Sequence, residues 1–115
     1  MYLVTGSAGF IGFHTCLKLL NENKKVLGID NFDDYYDVNL KKKRISILKN
    51  KKNFKFIKAD IIDSKKIKII FSNHNIKNVI HLAAQAGVRY SIKYPEKYIE
   101  VNVKGFFNMI ENSKK

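Results

Sequence analysis

A short apolar run, Tyr2–Thr5, gives way to three glycines spaced G-x-x-G-x-x-G at Gly6, Gly9 and Gly12, and a helical pattern follows at once. No other stretch constrains the fold as strongly. A strand that turns straight into a helix through glycines is the opening of a βαβ unit. The alternation then repeats. Strands are expected at Tyr2–Thr5, Val26–Asp30, Phe54–Lys58 and 79–82, where apolar residues run together with little alternation. Between them, Phe13, Cys16, Leu17 and Leu20 recur at helical spacing, as do Leu40, Ile47 and Leu48, and then Ile67, Ile70 and Phe71. A fourth helix is expected from Pro95, with Glu96 early and Lys114 and Lys115 at its end, matching the macrodipole. Its apolar set is Ile99, Val103, Phe106 and Ile110, with Tyr98, Val101 and Phe107 as a second set.

The order βαβαβαβα predicts an α/β doubly wound parallel sheet with right-handed crossovers and helices on both faces. In a strand order of 3-2-1-4 the fourth strand is an edge, although the full architecture continues beyond it. The sequence therefore reads as four βα units of an incomplete sheet.

At 115 residues the chain has the length of one domain, enough to bury a real core. Its formal charge is +12, carried by twenty lysines and two arginines, Arg44 and Arg89. Nucleic-acid surfaces favour arginine for bidentate contacts, and these lysines are spread over several segments. The charge is thus read as a solvated exterior, the basic run 41–44 included, and no nucleic-acid partner is expected. The single cysteine, Cys16, excludes an internal disulfide and a cysteine metal site, and favours a reducing, cytoplasmic setting. Cys16 lies on an apolar face and reads as a small buried hydrophobe. Residues 1–17 carry no charged side chain, but they lack a basic leader and include three glycines, so no signal peptide or membrane segment is read there.

In the glycine motif, Gly6 suits a tight turn, Gly9 lets backbone approach a pyrophosphate, and Gly12 permits close packing of the helix. The helix N-terminus then offers N–H groups to phosphates. Asp30 ends the second strand roughly twenty residues on, where a carboxylate accepts ribose hydroxyls and repels a 2′-phosphate, so NAD is expected over NADP. Asp60 follows the third strand, either at the ligand edge of the sheet or as a cap for the helix starting near Asp63 or Ser64. After the fourth strand come the small residues of Leu82-Ala83-Ala84-Gln85-Ala86-Gly87, and Gly87 with Arg89 suggests a flexible turn presenting a guanidinium to a phosphate or carboxylate. His14, His74 and His81 have no ligand-like spacing, and His81 reads as a satisfied core residue. Tyr35 and Tyr36 read as packing residues near Asp30.

Together, the motif at 5–12, Asp30-Asn31, Asp60-Ile61 and His81-Leu82-Ala83-Ala84 resemble the extended short-chain dehydrogenase/reductase (NAD-dependent epimerase/dehydratase) family, over essentially the whole chain. Asp30-Asn31-Phe32-Asp33-Asp34-Tyr35-Tyr36-Asp37 and Ala83-Ala84-Gln85-Ala86-Gly87-Val88-Arg89-Tyr90-Ser91 are most similar to the UDP-glucuronate 4-epimerase subgroup. The resemblance implies a Rossmann-type NAD-binding domain over residues 1–115. In it Gly6, Gly9, Phe10, Ile11 and Gly12 would hold the pyrophosphate, Asp30 and Asn31 the adenosine ribose, and Asp60 with Ile61 the adenine. Leu82, Ala83, Ala84 and Gln85 would line the cofactor beyond, Asn102 would lie near its nicotinamide half, and Gly87, Arg89 and Ser91 would approach a UDP-sugar.

The family's catalytic Tyr-x-x-x-Lys is missing: no tyrosine of this chain has lysine four residues on. The resemblance thus implies the N-terminal part of a nucleotide-sugar 4-epimerase working through a 4-keto intermediate, with no catalytic residue in these 115 and the substrate-binding C-terminal portion elsewhere. A sibling dehydratase or reductase, or a non-catalytic NAD-binding fragment, are the alternative readings. Family members commonly pair as homodimers through helices including the one from Pro95.

Overall fold

The computed structural model of the chain describes residues 1–34, 37–85 and 88–114, the side chain of Val88 excepted. Four strands, β1 (Tyr2–Thr5), β2 (Val26–Asp30), β3 (Phe54–Lys58) and β4 (Asn78–His81), form one sheet in the order β3-β2-β1-β4. Every pairing is parallel, with Val4 of β1 opposite Gly28 on one side and Ile80 on the other. This is the expected order. The fourth strand sits one residue earlier than the expected 79–82, because the Leu82 N–H turns back onto Thr5.

Successive side chains of a strand point to opposite faces, and both faces are covered. Leu3, Leu27 and Ile29 pack with Ala59, Ile61, Ile67, Ile70 and Met109 on one side. Val4 and Val26 pack with Ala8, Phe13, Cys16, Ile45, Leu48 and Phe54 on the other. Burying each large apolar side chain contributes about 1.5–3 kcal/mol, so these two clusters are what hold the layers together.

Helices α1 (Phe10–Asn21) and α2 (Val38–Lys49) supply the second cluster, and α3 (Ser64–Asn73) the first. Asp37 caps α2 by accepting from the Asn39 N–H at 2.9 Å, and Asp63 caps α3 by accepting from the Lys66 N–H at 3.1 Å. Helix α2 turns differently from its expected apolar set. Its buried residues are Lys41, Ile45 and Leu48, while Leu40 and Ile47 are exposed. Position 41 lies on the i, i+4, i+7 stripe with Ile45 and Leu48, which carries a lysine inward and corrects the reading of 41–44 as wholly solvated.

The region after β4 departs most from expectation. Arg89, expected with Gly87 in a flexible turn, lies instead on helix α4 (Val88–Lys93). The helix from Pro95 is three pieces: α5 (Pro95–Ile99), a π-helical stretch Glu100–Gly105, and α6 (Phe106–Ser113). Its inward residues are the half-buried Val101 and the buried Gly105, Asn108 and Met109, whereas Ile99, Val103, Phe106 and Ile110 are exposed. Two tethers set this rotation. A Cβ on Gly105 would lie 2.4 Å from Ile61 Cδ1, so the helix approaches closely there, and the Asn108 amide donates to the Ile61 carbonyl at 2.8 Å. Phe106 and Ile110 instead flank a groove of about 660 Å³ running along the outer edge of β4, with Phe71, Val79 and His81.

Candidate nucleotide site

The turn after β1 is built on β2. The Gly6 and Ser7 N–H groups both donate to the Ile29 carbonyl, at 2.9 and 3.2 Å. Gly6 has φ +71°, a conformation that glycine adopts without penalty. At Gly12 the constraint is space, since an added Cβ would meet the Gly6 carbonyl oxygen at 2.0 Å. The first turn of α1 therefore lies directly on the glycine turn, and no side chain caps it. Its first amide N–H groups and its dipole are left for an anion.

Asp30 is buried at the end of β2. Its Oδ2 accepts from the Ala8 N–H at 3.1 Å and its Oδ1 from the Phe32 N–H at 2.8 Å. The carboxylate thus fastens the glycine turn to the loop after β2. An ionised carboxylate offers about four acceptor directions, and two are taken. Phe32 is held at φ +56°, uncommon for a bulky residue, with its ring on Phe56 at 5.4 Å.

Asp60 was open between a ligand position and a helix cap, and capping of α3 falls to Asp63. Asp60 itself accepts from the Ile62 N–H at 3.1 Å and from the Asn31 side-chain amide at 3.2 Å. This joins the loops after β2 and β3.

The opposite wall, residues 82–85, is hung from β1 and the π-helical stretch. Thr5 is fully buried, and its Oγ1 accepts from the Leu82 and Ala83 N–H groups at 2.9 and 3.0 Å. With both lone pairs engaged, the hydroxyl proton goes to His81 Nδ1, 2.7 Å away. His81 is therefore neutral with its proton on Nε2, and partial burial pushes its pKa below the ordinary 6.5. Asn102 spends its side-chain amide on the backbone of Gln85, accepting from the N–H at 2.7 Å and donating to the carbonyl at 3.3 Å.

These pieces enclose a cleft of about 130 Å³ at the C-terminal edge of the sheet, where strand order reverses between β1 and β4. The structure brings Gly6, Gly9, Asp30, Asn31, Asp60, Ile61, Leu82, Ala83, Ala84 and Gln85 into its lining. Gly12 stands behind the turn, Phe10 and Ile11 are exposed on α1, and Asn102 reaches the site through Gln85. Arg89 is exposed and Ser91 half-buried on α4, and Tyr35, Tyr36 and Gly87 lie outside the described residues.

Sequence reasoning missed Asp33, Val101 and two cations of α2. Lys41 is buried, lines the cleft and donates from Nζ to the Asp33 carbonyl at 2.7 Å. Arg44 donates to the Ala8 carbonyl at 3.0 Å and sits 6.0 Å over the Phe10 ring. The signal was present: both lie on the stripe that holds Ile45 and Leu48. Cys16 is fully buried, and desolvation pushes its thiol up to about 12. His14 is exposed on α1, its ring edge-on to Phe10 and Phe13. Among the described residues no His, Cys, Asp and Glu group could hold a metal, and no helix is long and apolar enough to cross a membrane.

A switch-point crevice with a glycine turn, an uncapped helix start and a strand-end carboxylate defines the Rossmann class of doubly wound α/β proteins. Within that class, the chain belongs to the GDP-mannose 4,6 dehydratase family, whose sequence profile matches residues 3–115. It is 50% identical over 110 residues to a UDP-glucuronate 4-epimerase from Thermodesulfobacterium geofontis, covering 96% of this chain and 34% of that one. It is 44% identical over 112 residues to UDP-glucuronate 4-epimerase 6 of Arabidopsis thaliana, covering 97% of this chain and 24% of that one. Among solved structures, it is similar to the UDP-glucuronic acid 4-epimerase of Bacillus cereus in complex with UDP-glucuronic acid and NAD. That match has a TM-score of 0.88 and 37% identity, over 98% of this chain and 36% of that one. The chain thus spans a quarter to about a third of the length of these relatives.

Proposed function

We propose that residues 1–115 are the NAD-binding part of a nucleotide-sugar 4-epimerase acting on UDP-glucuronate or UDP-galacturonate. The observation that carries this reading is the cleft itself, which joins the Gly6 turn, the Asp30 carboxylate and the wall at 82–85 around one switch point. The residues fit the cofactor. The turn at Gly6 has no room for a side chain, since a Cβ there would lie 3.0 Å from the Ala83 nitrogen, and α1 begins with no side-chain cap. Gly6, Gly9 and the start of α1 would hold the pyrophosphate, Asp30 and Asn31 the ribose, and Asp60 and Ile61 the adenine, with residues 82–85 along the remainder.

When bound, NAD would supply a hydride acceptor and donor. What this chain's residues do is bind and orient. Asp30 sets ribose specificity, since its carboxylate accepts hydroxyl hydrogens and opposes a 2′-phosphate. Asn102 holds residue 85, and α4 would carry Arg89 and Ser91 on the side of the UDP-sugar. The proton transfers need a Tyr-x-x-x-Lys pair that this sequence does not contain, so the isolated chain is expected to bind without turning over. Among the described residues no strand pairs with the outer edge of β4, and Phe71, Val79, Phe106 and Ile110 line the groove along it, which supports a larger sheet in the whole enzyme.

The test is titration calorimetry of the 115-residue chain with NAD and NADP. Saturable NAD binding is expected, with NADP weaker by at least about tenfold, and Asp30→Asn should narrow that gap. An absence of NAD binding, or equal affinities, would overturn the reading.

A further inference from the structure

The nucleotide cleft continues outward. A second cavity of about 630 Å³ shares Asn31, Asp33, Asp60 and Val101 with it, and is walled further out by Tyr94, Pro95, Glu96, Lys97 and Glu100. At the rim between the two, Lys97 Nζ lies 3.1 Å from Asp33 Oδ2. The same ammonium donates to the Tyr90 hydroxyl at 3.2 Å and stands 5.3 Å from the Tyr90 ring centroid. Lys97 therefore ties the loop after β2, on one side of the cleft, to α4 and α5 on the other.

That loop needs external holding. It contains Phe32 in the left-handed region, a conformation that persists only where surroundings over-determine it. Asp30 holds its start through the Phe32 N–H, and Asn31 Oδ1 accepts from the Asp33 N–H at 3.0 Å. Lys41 takes the Asp33 carbonyl from below, and Lys97 takes the Asp33 carboxylate from across the rim.

We infer that Lys97 is a positioning residue that straps the loop after β2 across the adenosine end of the cleft and so slows nucleotide exchange, an inference that rests on the nucleotide-binding reading above. The lysine's own proton is held more tightly than usual, first by the Asp33 hydrogen bond and then by Tyr90, as a strap needs. Both partners of the ion pair are partly exposed, so its effect is moderate and salt-sensitive.

The experiment measures NADH dissociation from the full 115-residue chain by stopped-flow fluorescence with excess NAD as competitor. Lys97→Met, which keeps the stem and loses the charge, should release NADH about two- to fivefold faster, while Lys97→Arg stays near wild type. Raising the salt should speed release from the wild type more than from Lys97→Met, which keeps only the general attraction between the basic chain and the anionic nucleotide. An unchanged rate in Lys97→Met, or an unchanged salt response, overturns the strap. A second readout needs no nucleotide: amide exchange at Phe32 and Asp33 should quicken in Lys97→Met, and equal exchange overturns the strap independently. Failure of the wild type to bind NADH would overturn the nucleotide reading instead, leaving the exchange result to decide whether Lys97 holds the loop.

Discussion

Replacing Thr5 by valine removes one oxygen and keeps the shape, at a residue with no solvent exposure. The Ala83 N–H loses the Thr5 hydroxyl as its partner, a buried-donor penalty of about 1–3 kcal/mol. The Leu82 N–H keeps a longer bond to the Thr5 carbonyl at 3.3 Å, so its loss is smaller. The hydrogen bond to His81 goes as well, worth about 0.5–1.5 kcal/mol. The total comes to about 2–4 kcal/mol, read as the change in unfolding free energy in urea by circular dichroism. Thr5→Ser keeps the hydroxyl and loses one methyl, so it should cost only about 1 kcal/mol. The pH dependence of stability carries a further expectation. Because folding lowers the His81 pKa below 6.5, the unfolded chain binds more protons just under that value, and this residue's contribution makes stability fall as pH drops from 6.5 toward the folded pKa. Both variants leave the burial of His81 in place, so this acid-side slope should persist in each. Equal stabilities for the two variants would refute the assignment of Thr5 as the shared acceptor.

Two further outcomes follow from packing. Gly12→Ala places a methyl 2.0 Å from a backbone oxygen that has no rotamer with which to retreat, so it should destabilise the chain by about 3 kcal/mol or more in the same unfolding assay. Cys16, with its thiol raised to about 12 by burial, should react with a disulfide reagent at pH 8 only as fast as the chain opens, so modification should accelerate steeply in urea; a native-state rate like that of a free thiol would contradict its placement.

The sheet was legible because its signal is local: compact apolar runs, each followed by a turn, can hardly be read otherwise. Helix faces were less so. Leu40 and Ile47 are apolar yet exposed, while Lys41 is charged yet inward, and the side chain with the longer reach makes the better contact there because a backbone carbonyl, Asp33, waits at its end. Apolar counting cannot register an acceptor contributed by another loop. The rotation of the last helix escaped for a related reason. Gly105 and Asn108 carry little apolar weight, but closeness to Ile61 and a bond to its carbonyl decide which side faces in, leaving Phe106 and Ile110 along the β4 groove.

The site divides along the same line. Glycines and strand-end carboxylates announce themselves by spacing, since a tight turn needs residues without side chains and a strand end fixes where a carboxylate points. The wall at 82–85 shows itself as small residues after a strand, but what holds it does not: its N–H groups donate to Thr5 and Asn102, residues that spacing alone would place in a strand and a helix. A threonine in a buried strand passes for an ordinary β-former until its hydroxyl is found serving two amides of the neighbouring crossover. The resemblance implies a place for Asn102 near the nicotinamide half, but both ends of its amide are spent on Gln85, so any influence on a bound nucleotide would pass through backbone. Thr5 and Asn102 hold this wall from opposite ends, Thr5 at Leu82 and Ala83 and Asn102 at Gln85. Loss of either should therefore loosen the same cleft lining, although the two residues lie on different elements.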